Sequence, residues 1–395
     1  MKNIRIVLLV LLMVMTGCAP SFEKQEEVIE ENIDETGQET AIIPSYNISD
    51  ENYRVLLDYK LSKSRGVIVN QVANRLDIDE LEEGLRRQSL SYYDPDRYFF
   101  QEGQYITEDV LYSWLERNEG KDEEDEEDEE EDLGLNPEIP DLPEDADTEE
   151  RIEAQRENPK YLSHILEQNY LTKTEDDVVQ LGGISIGIAM KSVYRYQTEI
   201  GGPNYYKEIS MEDMLAEGKD ISQQVLDRIR QMEGLTDVPV MIALYREQAH
   251  DSLVPGNFVA RTGIDAGSSS IGDWETIDEE YMLFPSNEAK EKYPDTWANI
   301  EDFESDIGEY FPNYVSVIGK GFYRDQQLQK LTLEIPISFN GKAEVIGFTQ
   351  YVYGLVREGF QKHYDLEINI TSSDNQESLI IREAGEDEPY VHVYH

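Results

Sequence analysis

The first apolar positions of the chain run together, because every residue from Ile6 to Met15 is apolar and Lys2 and Arg5 stand just before them. A short positive segment and an apolar run, closed by small residues, predict a cleaved signal peptide over 1–17. The run is shorter than the roughly 20 residues a bilayer-crossing helix needs. Residues 18–43 turn to Glu and Gln, as in "EKQEEVIEENIDETGQET", and predict a flexible, like-charged tether.

Order is predicted from Pro44 onward. The aromatic and branched residues of "YRVLLDYK" and "RGVIVN" have strand-like density. From Asp77 the spacing becomes helical, with Ile78, Leu81 and Leu85 on one face behind a capping-box-like Asp77 and Glu80. A second short helix follows Thr107 and carries Val110, Leu111, Trp114 and Leu115. Residues 119–150 break every period, with eighteen carboxylates and three prolines between Asp122 and Glu150. They read as a solvated, disordered acidic insertion between an N-terminal part, 44–118, and a main region, 151–395. The run supplies charge without the fixed oxygens and turn glycine of a calcium cage.

In the main region one order of elements occurs twice. The strand "ISIGIAM" precedes a helix with Ile221, Val225, Ile229 and Met232, stopped by Gly234, and then "PVMIALY" and "NFVART". Later "LTLEIPI" precedes a helix with Phe348, Val352, Leu355 and Phe360, and then "LEINIT" and "SLIIRE". Residue identities do not repeat, so the duplicated β-α-β-β unit rests on pattern alone. Between the copies a helix is expected to carry Trp297, Ile300, Ile307 and Phe311. Hairpin-like returns and Pro336 inside a strand predict an α+β fold with antiparallel or mixed sheets and packed helices.

Charge removes several functions. The 84 acidic against 34 basic residues leave a formal net charge of −50 and a pI near 4.2, which disfavours nucleic acid as a partner and adhesion to anionic lipid through basic patches. The single cysteine, Cys18, follows Met15, Thr16 and Gly17, a stretch that resembles a bacterial lipobox with Met15 in place of the usual leucine. This predicts cleavage between Gly17 and Cys18, a diacylglyceryl group on Cys18, and a lipid-anchored, outward-facing protein on the cell membrane. Such a cysteine leaves none for a disulfide.

No Gly-rich phosphate loop, HExxH or Gly-x-Ser-x-Gly elbow is present, so no catalytic residue, cofactor or metal is indicated. The 25 tyrosines against 11 phenylalanines are the remaining oddity. They gather in "SYYDPDRYFFQEGQY" and "GGPNYYKE", which makes Tyr92, Tyr93, Tyr98, Tyr105, Tyr205 and Tyr206 a candidate binding surface for glycan or peptide. The other reading is that these tyrosines line half-exposed strands and cap a small core.

"YRVLLDYKLSKSRGVIVNQVANRLDIDELEEGLRRQS", followed by "YDPDRYFFQEGQYI", resembles the N-terminal signature of the CamS family, the sex-pheromone lipoproteins of Gram-positive bacteria. The resemblance extends from about Ser45 to the end. It implies a surface lipoprotein whose signal peptide is trimmed to a short hydrophobic peptide lying directly before the lipidated cysteine. Here that segment is Leu11, Leu12, Met13, Val14, Met15, Thr16 and Gly17, which differs from the Ala-Ile-Phe-Ile-Leu-Ala type. The resemblance transfers no catalytic residue. Two classes of function stay open: a non-enzymatic module that binds an envelope component or protein ligand, and an envelope-facing hydrolase using paired carboxylates.

Overall fold

The computed structural model describes residues 27–33, 37–44, 52–118, 134–143, 145–174, 178–311, 314–338, 341–373 and 375–394. Cys18, the candidate peptide segment and the acidic residues 119–133 lie outside them. Among the described residues no helix is long and apolar enough to cross a membrane.

Part of the expected tether is paired instead. Strands β1 (Glu27–Ile33) and β2 (Gly37–Ile43) form an antiparallel hairpin. The branched Val28, Ile29, Thr40 and Ile42 give this acidic stretch its strand propensity. Only Arg54–Val55 (β3) of the first predicted strand pairs as one. "RGVIVN" is not a strand: Gly66 at φ +95° turns the chain into a short helix, α1 (Val67–Gln71), which buries Val67 and Ile68. Helix α2 (Arg75–Ser89) buries Ile78, Leu81 and Leu85 as its spacing predicts, but its cap is Asn74, which accepts from the Leu76 N–H at 2.9 Å. Asp77 is unavailable for capping because it is buried and accepts from Tyr245 Oη at 2.7 Å and the Gly256 N–H at 2.6 Å.

Strand β4 (Tyr98–Glu102) leads to α3 (Glu108–Leu115), capped by Thr107. The acidic insertion is shorter than its composition suggests. Leu135 is buried against α3, and fully buried Asn136 donates to Leu115 O and accepts from the Leu162 N–H, each at 2.9 Å. Asp147 and Glu150 then form a capping box for α4 (Thr148–Glu157). Carboxylates that read as disorder in composition here serve a helix N-terminus.

Strands β5 (Leu162–Lys173) and β6 (Val178–Met190) are the long antiparallel centre of the first sheet. A small ribbon follows, β7 (Val193–Tyr196) with β8 (Tyr205–Glu208), then α5 (Met211–Ile229), β9 (Val240–Arg246), β10 (Asn257–Ile264) and β11 (Glu275–Thr276). The sheet order is β11-β10-β9-β6-β5-β4-β3, with β1 reaching the end of β6. Ile184, Ile186 and Ile188 alternate with small Ser185, Gly187 and Ala189 along β6. The isoleucines pack under α5, and the small residues let α2 approach so closely that a Cβ at Gly187 would stand 3.2 Å from Leu85.

The second sheet runs β12 (Glu279–Phe284), β13 (Ile318–Arg324), β14 (Gln327–Pro336), β15 (Asp365–Ser372), β16 (Asn375–Arg382) and β17 (Tyr390–Val393) in that spatial order. Helices α6 (Asn287–Lys292), α7 (Pro294–Tyr310) and α8 (Lys342–Gly359) accompany it. The twofold pattern is thus present in the topology. β6 runs parallel to β9, with Ile184 opposite Val240, and β14 runs parallel to β15, with Lys330 opposite Asp365. Each parallel pair is crossed by a helix and followed by an antiparallel strand, β10 or β16. The two copies occupy separate sheets, and the fold is α+β.

A cleft at the sheet edge as the candidate ligand site

The loop Tyr59–Gly66, the helices α1 and α2, and strands β4 and β5 enclose a cleft of about 490 Å³. Phe100 and Leu166 line it from the sheet, and Ile68 and Ile78 from the helices. Its polar groups divide into two sets. The first is consumed by the scaffold: Glu102 accepts from the Ser62 N–H at 2.6 Å and from the Tyr59 hydroxyl. Glu167, buried on β5, accepts from the N–H groups of Gln104 at 2.9 Å, Tyr105 at 3.1 Å and Ile106 at 2.7 Å, winding that loop around one carboxylate. Burial pushes the Glu167 carboxyl up, and the N–H donors pull it the other way.

The second set is not spent on the backbone. His164 is 2% exposed, and its Nδ1 is buried without a hydrogen bond. Burial pulls its imidazole down to about 3, so the ring is neutral. Half-buried Arg86 lies over the Phe100 ring, 5.3 Å from its centroid, and has no ion-pair partner among the described residues. Glu82 stands on the rim with its carboxyl raised by desolvation and by Glu102, against the opposing pull of Arg86 and Arg75.

The tyrosines singled out in the sequence do not form one surface. Tyr93 is core: it stacks on Tyr170 at 4.4 Å and donates to Ile184 O at 2.8 Å. Tyr98 packs beside it at 5.3 Å, and half-buried Tyr92 carries Arg261 over its ring. Tyr105 packs against the core on the α5 face of the first sheet, and Tyr205 packs at a tilt on Tyr196, 5.6 Å between ring centroids. Of the six, Tyr206 alone is largely exposed, at 62%. The residues that sequence reasoning missed are His164, Glu167, Arg86 and Phe100. For His164 and Glu167 the signal was their place among Leu162, Ile165, Leu166, Tyr170 and Leu171 in one stretch of strand-forming residues, where burial of a polar group demands a reason.

Two other polar groupings are structural. Glu279, with 1% of its side chain exposed, accepts from Arg87, Gln88 and Arg324 at 2.9–3.2 Å and joins α2 to the second sheet. Ser163 Oγ lies 3.2 Å from Lys191 Nζ, but the serine donates to Gln71 O and accepts from the lysine, the reverse of general-base activation. Among the described residues, no group of three or more His, Cys, Asp or Glu is placed to hold a metal ion.

The family model for the CamS sex pheromone cAM373 precursor matches residues 59–388, which contain the cleft loop, both copies of the repeated unit and the Glu279 junction. The chain belongs to the CamS family. Among solved structures, the sex pheromone precursor from Lactobacillus salivarius subsp. salivarius UCC118 is 30% identical and superposes with a TM-score of 0.78, over 90% of this CamS chain and 99% of that one. The C-terminal domain of the sex pheromone staph-cAM373 precursor from Staphylococcus aureus is also 30% identical, with a TM-score of 0.69 over 82% of this chain and 99% of its own. No curated protein matches the CamS chain.

Proposed function

We propose that this CamS protein is an outward-facing lipoprotein held to the membrane through Cys18, whose folded part binds a ligand of the cell envelope without catalysing a reaction. The observation that carries the anchor is the sequence around the single cysteine. Lys2 and Arg5, the apolar run to Met15 and the small Thr16-Gly17 pair place the cut at Cys18. Two acyl chains, with each buried CH₂ contributing about 0.8 kcal/mol, hold a protein where one chain does not. Cleavage releases Leu11 to Gly17 within the signal peptide, which makes it a source of a short hydrophobic peptide.

A binding role is favoured over hydrolysis by what the cleft carboxylates do. A paired-carboxylate hydrolase needs one carboxyl free as acid and one free as nucleophile or base. Of the four carboxylates lining the cleft, Glu102 and Glu167 are spent on backbone N–H groups and Asp79 pairs with Arg75 at 3.5 Å, so Glu82 has no second free carboxyl beside it. The anchor is tested by metabolic labelling with a radioactive fatty acid. Wild-type protein is expected to carry label in the membrane fraction, and Cys18→Ala to lose it and be shed or remain unprocessed. A Cys18→Ala protein that is labelled and retained like wild type would overturn the reading.

A further inference from the structure

We propose that the cleft beside β3 holds a short apolar peptide by its C-terminal carboxylate, with Arg86 receiving the carboxylate and His164 donating or accepting one further hydrogen bond. This deepens the binding role proposed above and rests on it.

Three independent features converge. First, the half-buried Arg86 guanidinium is held over Phe100 and makes no ion pair among the described residues. Its helical neighbour Glu82, one turn earlier, feels the Arg86 charge through space but does not reach it within ion-pair distance. The planar guanidinium matches a carboxylate with two parallel hydrogen bonds, and the C-terminus of a peptide supplies that carboxylate.

Second, His164 leaves a ring nitrogen unsatisfied in the interior of the same cleft. A buried polar atom without a partner in a native fold calls for an explanation, and a peptide amide is the group that satisfies a neutral imidazole. Third, the wall between these polar points is apolar, made by Phe100, Ile68, Ile78 and Leu166. The loop and helix bordering it expose Leu57, Tyr59, Leu61 and Val69, at 41%, 48%, 54% and 61%. Apolar surface gathered around a polar centre is the composition of a site for an amphipathic ligand.

The test uses the mature chain from residue 18 and isothermal titration with a synthetic peptide, Leu-Leu-Met-Val-Met-Thr-Gly. The peptide is prepared with a free carboxylate and, separately, as its C-terminal amide. The free acid is expected to bind, and the amide about tenfold or more weaker, the worth of a charge-assisted hydrogen bond. Arg86→Gln is expected to remove the difference between acid and amide while leaving the circular dichroism spectrum unchanged. His164→Gln is expected to weaken both forms alike. Absence of binding by the free acid, equal binding of acid and amide, or an acid preference that survives in Arg86→Gln would each overturn the proposal. Octanoate serves as a second arm, and displacement of the peptide by octanoate at equal affinity would overturn the peptide as occupant. None of these results bears on fatty-acid labelling at Cys18, and wall-fragment binding to Arg86→Gln would keep a binding role alive without this ligand.

Discussion

His164 makes the stability of the fold depend on acid in a calculable way. Its imidazole, ordinarily near 6.5, is lowered to about 3 by burial. Between those values the unfolded chain binds a proton that the folded chain refuses, so stability is complete above the ordinary value and falls as pH drops toward the lowered one. The largest slope one such group can give is about 1.4 kcal/mol per pH unit, so lowering the pH from about 7 to about 5 removes roughly 2 kcal/mol through His164 alone. Other buried groups also bind protons differently in the folded and unfolded chain, among them Glu167, Glu80 and Glu247, whose carboxyls burial raises. They are present in a His164→Gln variant as well, so the difference between the two proteins isolates the imidazole. Urea unfolding of each at the two pH values is the assay. Wild type is expected to lose about 2 kcal/mol more than His164→Gln on acidification, whatever constant cost the glutamine brings at neutral pH. Equal losses would refute the claim that the ring is buried and neutral.

Three further perturbations test the packing. Gly183→Ala places a Cβ 2.2 Å from the Tyr93 ring, and thermal or urea unfolding should register about 1–3 kcal/mol of destabilisation from overpacking. Asn136→Ala strips the hydrogen bonds to Leu115 O and Leu162 N inside the segment that composition reads as disordered. A loss of about 2–3 kcal/mol in urea is expected, whereas a neutral result would show that segment to be dispensable. Glu279→Gln leaves Arg87 and Arg324 without their shared carboxylate at the junction of the two sheets, and about 3 kcal/mol should be lost. If an Arg324→Ala, Glu279→Gln double variant were no more stable than the sum of its single variants, the pairing would be energetically idle.

The elements that were legible in the sequence are those whose signal is local. Apolar spacing in α2, α5 and α8 and alternation in β6, β14 and β15 are set by the 3.6-residue and 2-residue periods of the backbone. Order of elements alone was enough to suggest the repeated unit, because a parallel pair crossed by a helix leaves a fixed succession along the chain. The failures were equally physical. "RGVIVN" is dense in branched residues, yet Gly66 and burial of Val67 and Ile68 made it a helix, since propensity yields to packing. Asp77 was in place for a cap and was diverted to Tyr245, which is 168 residues away and invisible to any local rule.

The sequence by itself determined the charge, the helical and strand periods, the lipobox-like cysteine and the family signature, because each is a property of neighbouring residues. Only the tertiary structure decided that the clustered tyrosines are mostly packing. Only it separated the two repeated units into different sheets and brought Arg86 and Phe100 together with His164 from a strand far along the chain. A binding cleft depends on which side chains are left without partners after folding, and partnership in a folded chain is a question of distance in space.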